Sequence, residues 1–257
     1  MKILALETST EYCSVALWQD GAVSERFELV GQKHSEVLMA MLDELLKAAG
    51  TTVKQVDGIA FGKGPGSFTG VRIACGVAQG LALGAGLNVV GVCTLQALAE
   101  ASGKDKVIAA LDARMGELYL AAYERRNGEW AEVMAPCLCR AEVAPALAGE
   151  GWFGVGSGFT VAGEALQARY GKSLCGMDAQ AVPQAGAVVR LAAGEFAKGN
   201  AVDAALALPL YLRDKVALKT SEREDIRSTS TAPARSTPVG APSLRDDPPA
   251  GSVRTDV

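Results

Sequence analysis

The chain has 257 residues, 49% of them hydrophobic and 29 of them glycine, enough apolar material for one large or two modest domains. A formal net charge of −4 argues against a protein that wraps nucleic acid by itself, because phosphate contacts need clustered cations. The single histidine, His34, excludes a metal site built from several histidines and leaves any Ser–His or Cys–His machinery one residue to use.

Residues 2–7 (KILALE) suit a buried strand, and 12–19 and 23–29 follow as two more, with Asp20-Gly21 between them as a type I′ hairpin signal. Val37, Leu38, Met41, Leu42, Leu45 and Leu46 then form one apolar stripe on a helix from about 33 to 49, ended by Gly50. His34 begins that helix and reads as a surface or capping histidine. A strand over 56–62, a helix over 68–83, a strand over 88–92 and a short helix over 94–101 complete a βββαβαβα unit with a mixed five-stranded sheet. From residue 107 the plan repeats about 105 residues on: strands at 107–112 and 116–123, Asn127-Gly128, and a strand at 129–135. Glu7 and Asp112 fall at equivalent strand ends, so an internal duplication predicts two similar lobes. The second is less regular, with a strand at 152–155 and helices at 159–170 and 184–198.

The most distinctive stretch is GKGPGSFTGVRI, residues 62–73, between a strand and a helix. Gly64 and Gly66 permit a tight turn, Ser67 or Thr69 can cap the helix, and Arg72 lies one turn on. The loop is either a structural turn or a contact surface for an anion or a partner. The phosphate-binding G-x4-G-K-[ST] pattern fails, because Lys63 is followed by Gly64. The dinucleotide G-x-G-x-x-G pattern fails by one residue before Gly70. Gly76, Gly80 and Gly84 recur at every fourth position of the next helix, beside Ile73 and Val77. Small residues at that spacing let helices approach closely, within the lobe or across a subunit interface. A second glycine loop, GVGSG, occupies 154–158.

Six cysteines include one C-x-C (Cys137, Cys139) and no C-x-x-C, which suits reduced thiols in a cytoplasmic protein rather than structural zinc. The N-terminus does not read as a signal peptide, and no apolar run reaches about 18 residues unbroken, so no membrane association is expected. Residues 221–257 carry half of the ten prolines and no aromatic residue, and read as a disordered tail. The expected organisation is an N-terminal lobe over 1–102, a C-terminal lobe over 103–220 whose last helix can return to the first, and the tail.

ILALETST with SVAL after it, HSEVLMAMLDELL (34–46), GIAFGKGPGSFTGVRIA (58–74), LDARMGELY (111–119) and PLYLR (209–213) together resemble the TsaB (YeaZ) family over about 1–215. The resemblance implies an α/β fold of the actin-like, Hsp70-like ATPase superfamily, with two RNase H-like lobes of mixed sheets flanked by helices. It implies a role in making N6-threonylcarbamoyladenosine on tRNA, as a non-catalytic partner of a TsaD-type transferase. A TsaE-type ATPase joins the larger complex, and tRNA is met only indirectly. It also implies pairing through the N-terminal lobe helices, with a TsaD-type protein or a second copy, which makes His34, Val37, Met41, Leu45, Ile73, Gly76, Val77 and Gly80 interface candidates. No cofactor of its own is expected, an adenine nucleotide being possible only at the partner interface. The chain departs from its catalytic relatives in telling places. His34 matches the first of their two metal-binding histidines, but Leu38 stands at the second. The loops equivalent to their phosphate loops, Glu7-Thr8-Ser9-Thr10 and Asp112-Ala113-Arg114-Met115, lack glycine. The competing reading is an independent ATPase or sugar-kinase-like enzyme of the same superfamily.

Overall fold

A computed structural model describes residues 1–213, which lie within one compact unit; the tail read as disordered falls outside the described residues. Strands β1 (Lys2–Glu7), β2 (Tyr12–Gln19) and β3 (Ala22–Leu29) form an antiparallel meander. Its second turn is the expected two-residue hairpin: Gln19 pairs with Ala22, and Asp20 and Gly21 take φ of 48° and 100°. Helix α1 (His34–Ala48), β4 (Gly58–Gly64), α2 (Phe68–Ala85), β5 (Asn88–Cys93) and α3 (Thr94–Ala101) follow, with β4 parallel to both β1 and β5.

The second lobe repeats the first. Strands β6 (Lys106–Asp112), β7 (Leu118–Arg126) and β8 (Glu129–Cys139) form another meander, turned at Asn127 and Gly128 with φ of 53° and 83°. Strands β9 (Trp152–Val155) and β10 (Leu174–Asp178) add in parallel, giving the order β8-β7-β6-β9-β10. The first sheet has the matching order β3-β2-β1-β4-β5, extended by a two-residue strand β11 (Val202–Asp203) antiparallel to β5. It therefore has six strands rather than five, because the chain returns to the first lobe at its end. The helix expected over 159–170 is two, α4 (Gly158–Val161) and α5 (Gly163–Tyr170). Ala162 leaves the helical region (φ −134°, ψ 30°), and Gly163 beside it adds no side chain to bridge the turns.

The first sheet is covered on both faces, which is why β1 reads as an unbroken apolar run. Leu4, Leu6, Val15 and Leu17 face α1 and α2. Ile3, Ala5, Ala16 and Ala60 face the last helix, α6 (Ala185–Ala197). The alanines on both sides of that contact let α6 lie close to the strands. Its N-terminal amides are capped from the meander: Ser14 Oγ accepts from Ala185 N (2.9 Å) and Glu25 Oε1 accepts from Gly186 N (2.7 Å). Helix α2 is 18 residues with a mean hydropathy of 1.3, long and apolar enough to cross a membrane by length and composition; a third of it is buried in the first lobe.

Candidate functional site

At the carboxyl end of the first sheet, the glycine loop and the β1–β2 loop are pressed into each other. A Cβ at Gly62 would overlap the Glu7 carboxylate, one at Gly66 would meet Ser9, and one at Gly70 would overlap the Thr8 carbonyl oxygen. Ser67 N donates to Ser9 O (2.7 Å), and Thr8 Oγ1 donates to Gly70 O (2.7 Å). Ser67, not Thr69, caps α2, accepting from Gly70 N at 3.4 Å; Thr69 is exposed. Gly64 takes φ of 98° and its amide unit carries the chain onto Pro65. The glycines thus serve close packing of the loop on the β1–β2 segment.

Glu7 is the unusual member of this seal. It is 2% exposed; Oε1 accepts from Ser9 N (2.6 Å), while Oε2 has no partner in the protein. Burial pushes its pKa up, and the hydrogen bonds from Ser9 only partly offset that. The second lobe repeats the arrangement. Gly156 (φ 101°) and Gly158 pack against Ala110 of β6, and Ser157 Oγ accepts from Asp112 N (3.1 Å). Beside it opens a cleft of about 610 Å³ lined by Asp112, Glu117, Glu142 and Glu164. Two of these carboxylates are already paired, Asp112 with Arg114 (2.9 Å) and Glu117 with Arg213 (2.8 Å).

The interface candidates divide by exposure. His34, Met41 and Leu45 are buried, at 5%, 3% and 4% exposure, so they do not form the surface expected of them. The stripe of α1 is consumed by its own sheet, with Leu38, Leu42 and Leu46 also buried and Val37 half-buried. His34 is neither a surface residue nor a side-chain cap: Nε2 donates to Tyr12 O at 3.0 Å, and Leu38, four residues on, is core. Among the described residues no group of three or more His, Cys, Asp or Glu is placed to hold a metal.

Helix α2 behaves differently. Ile73 and Val77 are half-buried against the first-lobe core, whereas Gly76, Gly80 and Gly84 are exposed, and a Cβ at any of them meets nothing within 4 Å. The glycine ladder therefore does not serve packing within its own lobe. Phe68, Leu83, Leu208 and Tyr211 are large exposed hydrophobics on α2 or on the segment that follows the last sheet strand. That segment, residues 204–213, is a strap that sequence periodicity does not reveal. Ala207 O accepts from Gln79 Nε2 (3.0 Å), Leu210 N donates to Lys63 O (2.6 Å), and Arg72 Nε donates to Tyr211 OH (2.8 Å). Arg72 also lies 3.6 Å from the Phe68 ring centroid, so this loop cation is already engaged. The PLYLR segment (209–213), which includes the last aromatic residue of the chain, is the signal in the sequence that the fold extends this far.

Of the six cysteines, Cys13 and Cys75 are buried, Cys93, Cys137 and Cys139 are intermediate, and Cys175 is exposed. Burial pushes the Cys13 and Cys139 thiols up to about 12, the character of packing groups rather than nucleophiles.

Residues 27–220 match the family model described as TsaD, tRNA N6-adenosine threonylcarbamoyltransferase. The chain is 41% identical over 233 residues to the tRNA threonylcarbamoyladenosine biosynthesis protein TsaB of Escherichia coli, with 85% of this chain and 97% of that one covered. The TsaB protein of Haemophilus influenzae is 38% identical, with 85% and 96% covered. A solved structure of YeaZ from Pseudomonas aeruginosa superposes with a TM-score of 0.74 at 39% identity, covering 82% of this chain and 99% of that one. Relatives covered almost from end to end at this level of identity show the family: the chain belongs to the TsaB (YeaZ) family of tRNA threonylcarbamoyladenosine biosynthesis proteins.

Proposed function

We propose that this chain is a non-catalytic subunit that binds and activates a TsaD-type transferase, and that it docks through the exposed face of α2. The observation that carries the reading is the open ladder of Gly76, Gly80 and Gly84, bordered by exposed Leu83 and unmatched by any packing partner in its own fold. Each glycine in an exposed helix interior destabilises the free chain by about 1 kcal/mol relative to alanine, so three on one face need a reason outside the monomer. Close approach of a partner helix supplies it. The docking surface thereby narrows from the two-helix set expected from sequence to α2, with Gly76 and Gly80 at its centre and Ile73 and Val77 at its buried edge.

The non-catalytic part of the reading is supported by the close packing of the glycine loop on Glu7, Thr8 and Ser9, where the loop glycines already meet the protein's own atoms. A TsaE-type ATPase and tRNA would then meet the complex rather than this chain alone. Size-exclusion chromatography of the full chain mixed with a TsaD-type protein tests the partnership: a shared peak at micromolar concentration is expected, and its absence removes the reading. Calorimetric titration of the chain alone with ATP tests the alternative. Tight binding would restore the independent-enzyme reading.

A further inference from the structure

Besides an exposed ion pair between Lys198, at the end of α6, and Glu129 of β8, and a Tyr123 OH to Cys93 Sγ contact, the two lobes are tied across their seam by two largely buried charged clusters, on opposite faces of the first sheet. On the α6 side, Glu100 lies in the last turn of α3 with its side chain 12% exposed. Oε2 accepts from Arg125 Nη2 (2.7 Å) and from Trp130 Nε1 (2.8 Å), and Oε1 accepts from Arg190 Nε (3.0 Å). Arg125 belongs to β7 and Trp130 to β8 of the second lobe, whereas Arg190 sits on α6, which packs on the first. One carboxylate on α3 thus gathers the β7–β8 hairpin of the second lobe and α6, which packs on the first. The Arg125 guanidinium also lies 4.4 Å from the Trp130 ring centroid, which fixes the two donors against each other. Burial alone would raise the Glu100 pKa, but the hydrogen bonds from Trp130, Arg125 and Arg190 outweigh it and hold the carboxylate below its usual range.

On the α2 side, the strap is fastened to the first lobe through Leu210 and Tyr211, and Arg213 then crosses to the second. Its Nη1 pairs with Glu117 Oε2 (2.8 Å) and its Nη2 donates to Ala113 O (3.0 Å), with the Arg213 side chain 17% exposed. Ala113 and Glu117 flank a turn in which Arg114 and Met115 both hold positive φ, 65° and 58°.

We infer that Glu100 and Arg213 form a two-sided latch that fixes the angle between the lobes and so makes a rigid body of a duplicated fold. The hydrophobic seam alone, Leu95 and Leu98 of α3 against Val107 and Ala109 of β6, is non-directional and permits sliding. The charge-assisted bonds on either side of it have fixed geometry and do not. A subunit that presents one helix face to a partner gains from that rigidity, because the second lobe is then carried into the complex at a set position.

The test is hydrogen exchange on the full-length chain, comparing wild type with Glu100→Gln, Glu100→Ala, Arg213→Ala and the Glu100→Ala/Arg213→Ala pair. The expected result is a local loss. Amide protection around Arg125, Trp130 and Arg190 falls about tenfold or more in Glu100→Ala, the equivalent of one hydrogen bond to a charged group. Glu100→Gln, which keeps the acceptor and loses the charge, falls by less. Amides of β1 and β4 keep their protection. In calorimetry the paired variant unfolds in two transitions where the wild type shows one. A uniform loss across both lobes would mark Glu100 as an ordinary stability contact and overturn the latch, as would unchanged protection at both seams. Should Glu100→Ala fail to fold, Arg213→Ala and Glu100→Gln decide the matter by the same local-against-uniform criterion.

Discussion

Alanine at Gly76 and Gly80 should do opposite things to the free chain and to its complex. Both positions lie inside α2, both are exposed, and a Cβ at either meets nothing within 4 Å. Nothing in the monomer therefore opposes the methyl groups, and helix propensity acts alone: about 1 kcal/mol of stabilisation per site, about 2 kcal/mol for the pair. For a folded body of this size that raises Tm by about 4–8 °C. In a close helix–helix interface the same methyls must push the partner away, which costs about 1–3 kcal/mol and weakens association about 5- to 150-fold. Thermal unfolding by circular dichroism at low concentration reads the first effect, and calorimetric titration with a TsaD-type protein reads the second. A fall in Tm would mean that the face is already occupied in the free protein, as in a tight self-dimer. A rise in Tm with unchanged affinity would refute α2 as the docking helix, because the glycines would then serve neither fold nor partner.

Gly70→Ala, on the same helix, should have the opposite sign in the monomer. Its Cβ would overlap the Thr8 carbonyl oxygen, a backbone atom that cannot move aside, so a loss of about 3 kcal/mol is expected in urea unfolding, and an unshifted midpoint would show that the seal is loose. Glu7→Gln should stabilise the chain increasingly from acid to neutral pH. The folded pKa of Glu7 is raised, so between the ordinary carboxylate value of 4.5 and the folded value only the unfolded chain ionises, and wild-type stability drops as pH rises through that window. The amide does not titrate, so the difference between variant and wild type should grow across the window and then level off. A difference that is flat with pH would mean that Glu7 ionises as easily in the fold as outside it.

Most of the architecture was legible because it is local. The hairpins at Asp20-Gly21 and Asn127-Gly128 follow from two residues each, and the stripe from Leu38 to Leu46 sets α1 within a residue or two of its ends. The duplication followed from those same signals recurring, and the matching strand orders bear it out. What an apolar stripe cannot say is whose surface it meets. Met41 and Leu45 were interface candidates only through the family resemblance, whereas the periodicity that placed them on one apolar stripe is met by their own sheet. Gly76 and Gly80 show the converse: the absence of a side chain left them open in the monomer. His34 read as a surface residue because the carbonyl that satisfies its buried ring lies 22 residues away. The short strand β10 and the strap over 204–213 carry too few periodic positions to register, and their places are set by contacts with Trp152, Lys63 and Arg72 that lie far off in sequence.

The return of α6 to the first sheet has a consequence for the order in which the protein is made. The layer formed by Ala185, Val188, Val189 and Ala192 is the cover for Ile3, Ala5, Ala16 and Ala60, so the half of the chain that leaves the ribosome first lacks one side of its core until nearly the last of the described residues has emerged. The second sheet, complete by Asp178, has all of its strands before that cover arrives. The N-terminal lobe is begun first and finished last, and a chain cut short before residue 185 would carry an exposed, alanine-rich sheet face open to any passing strand or helix.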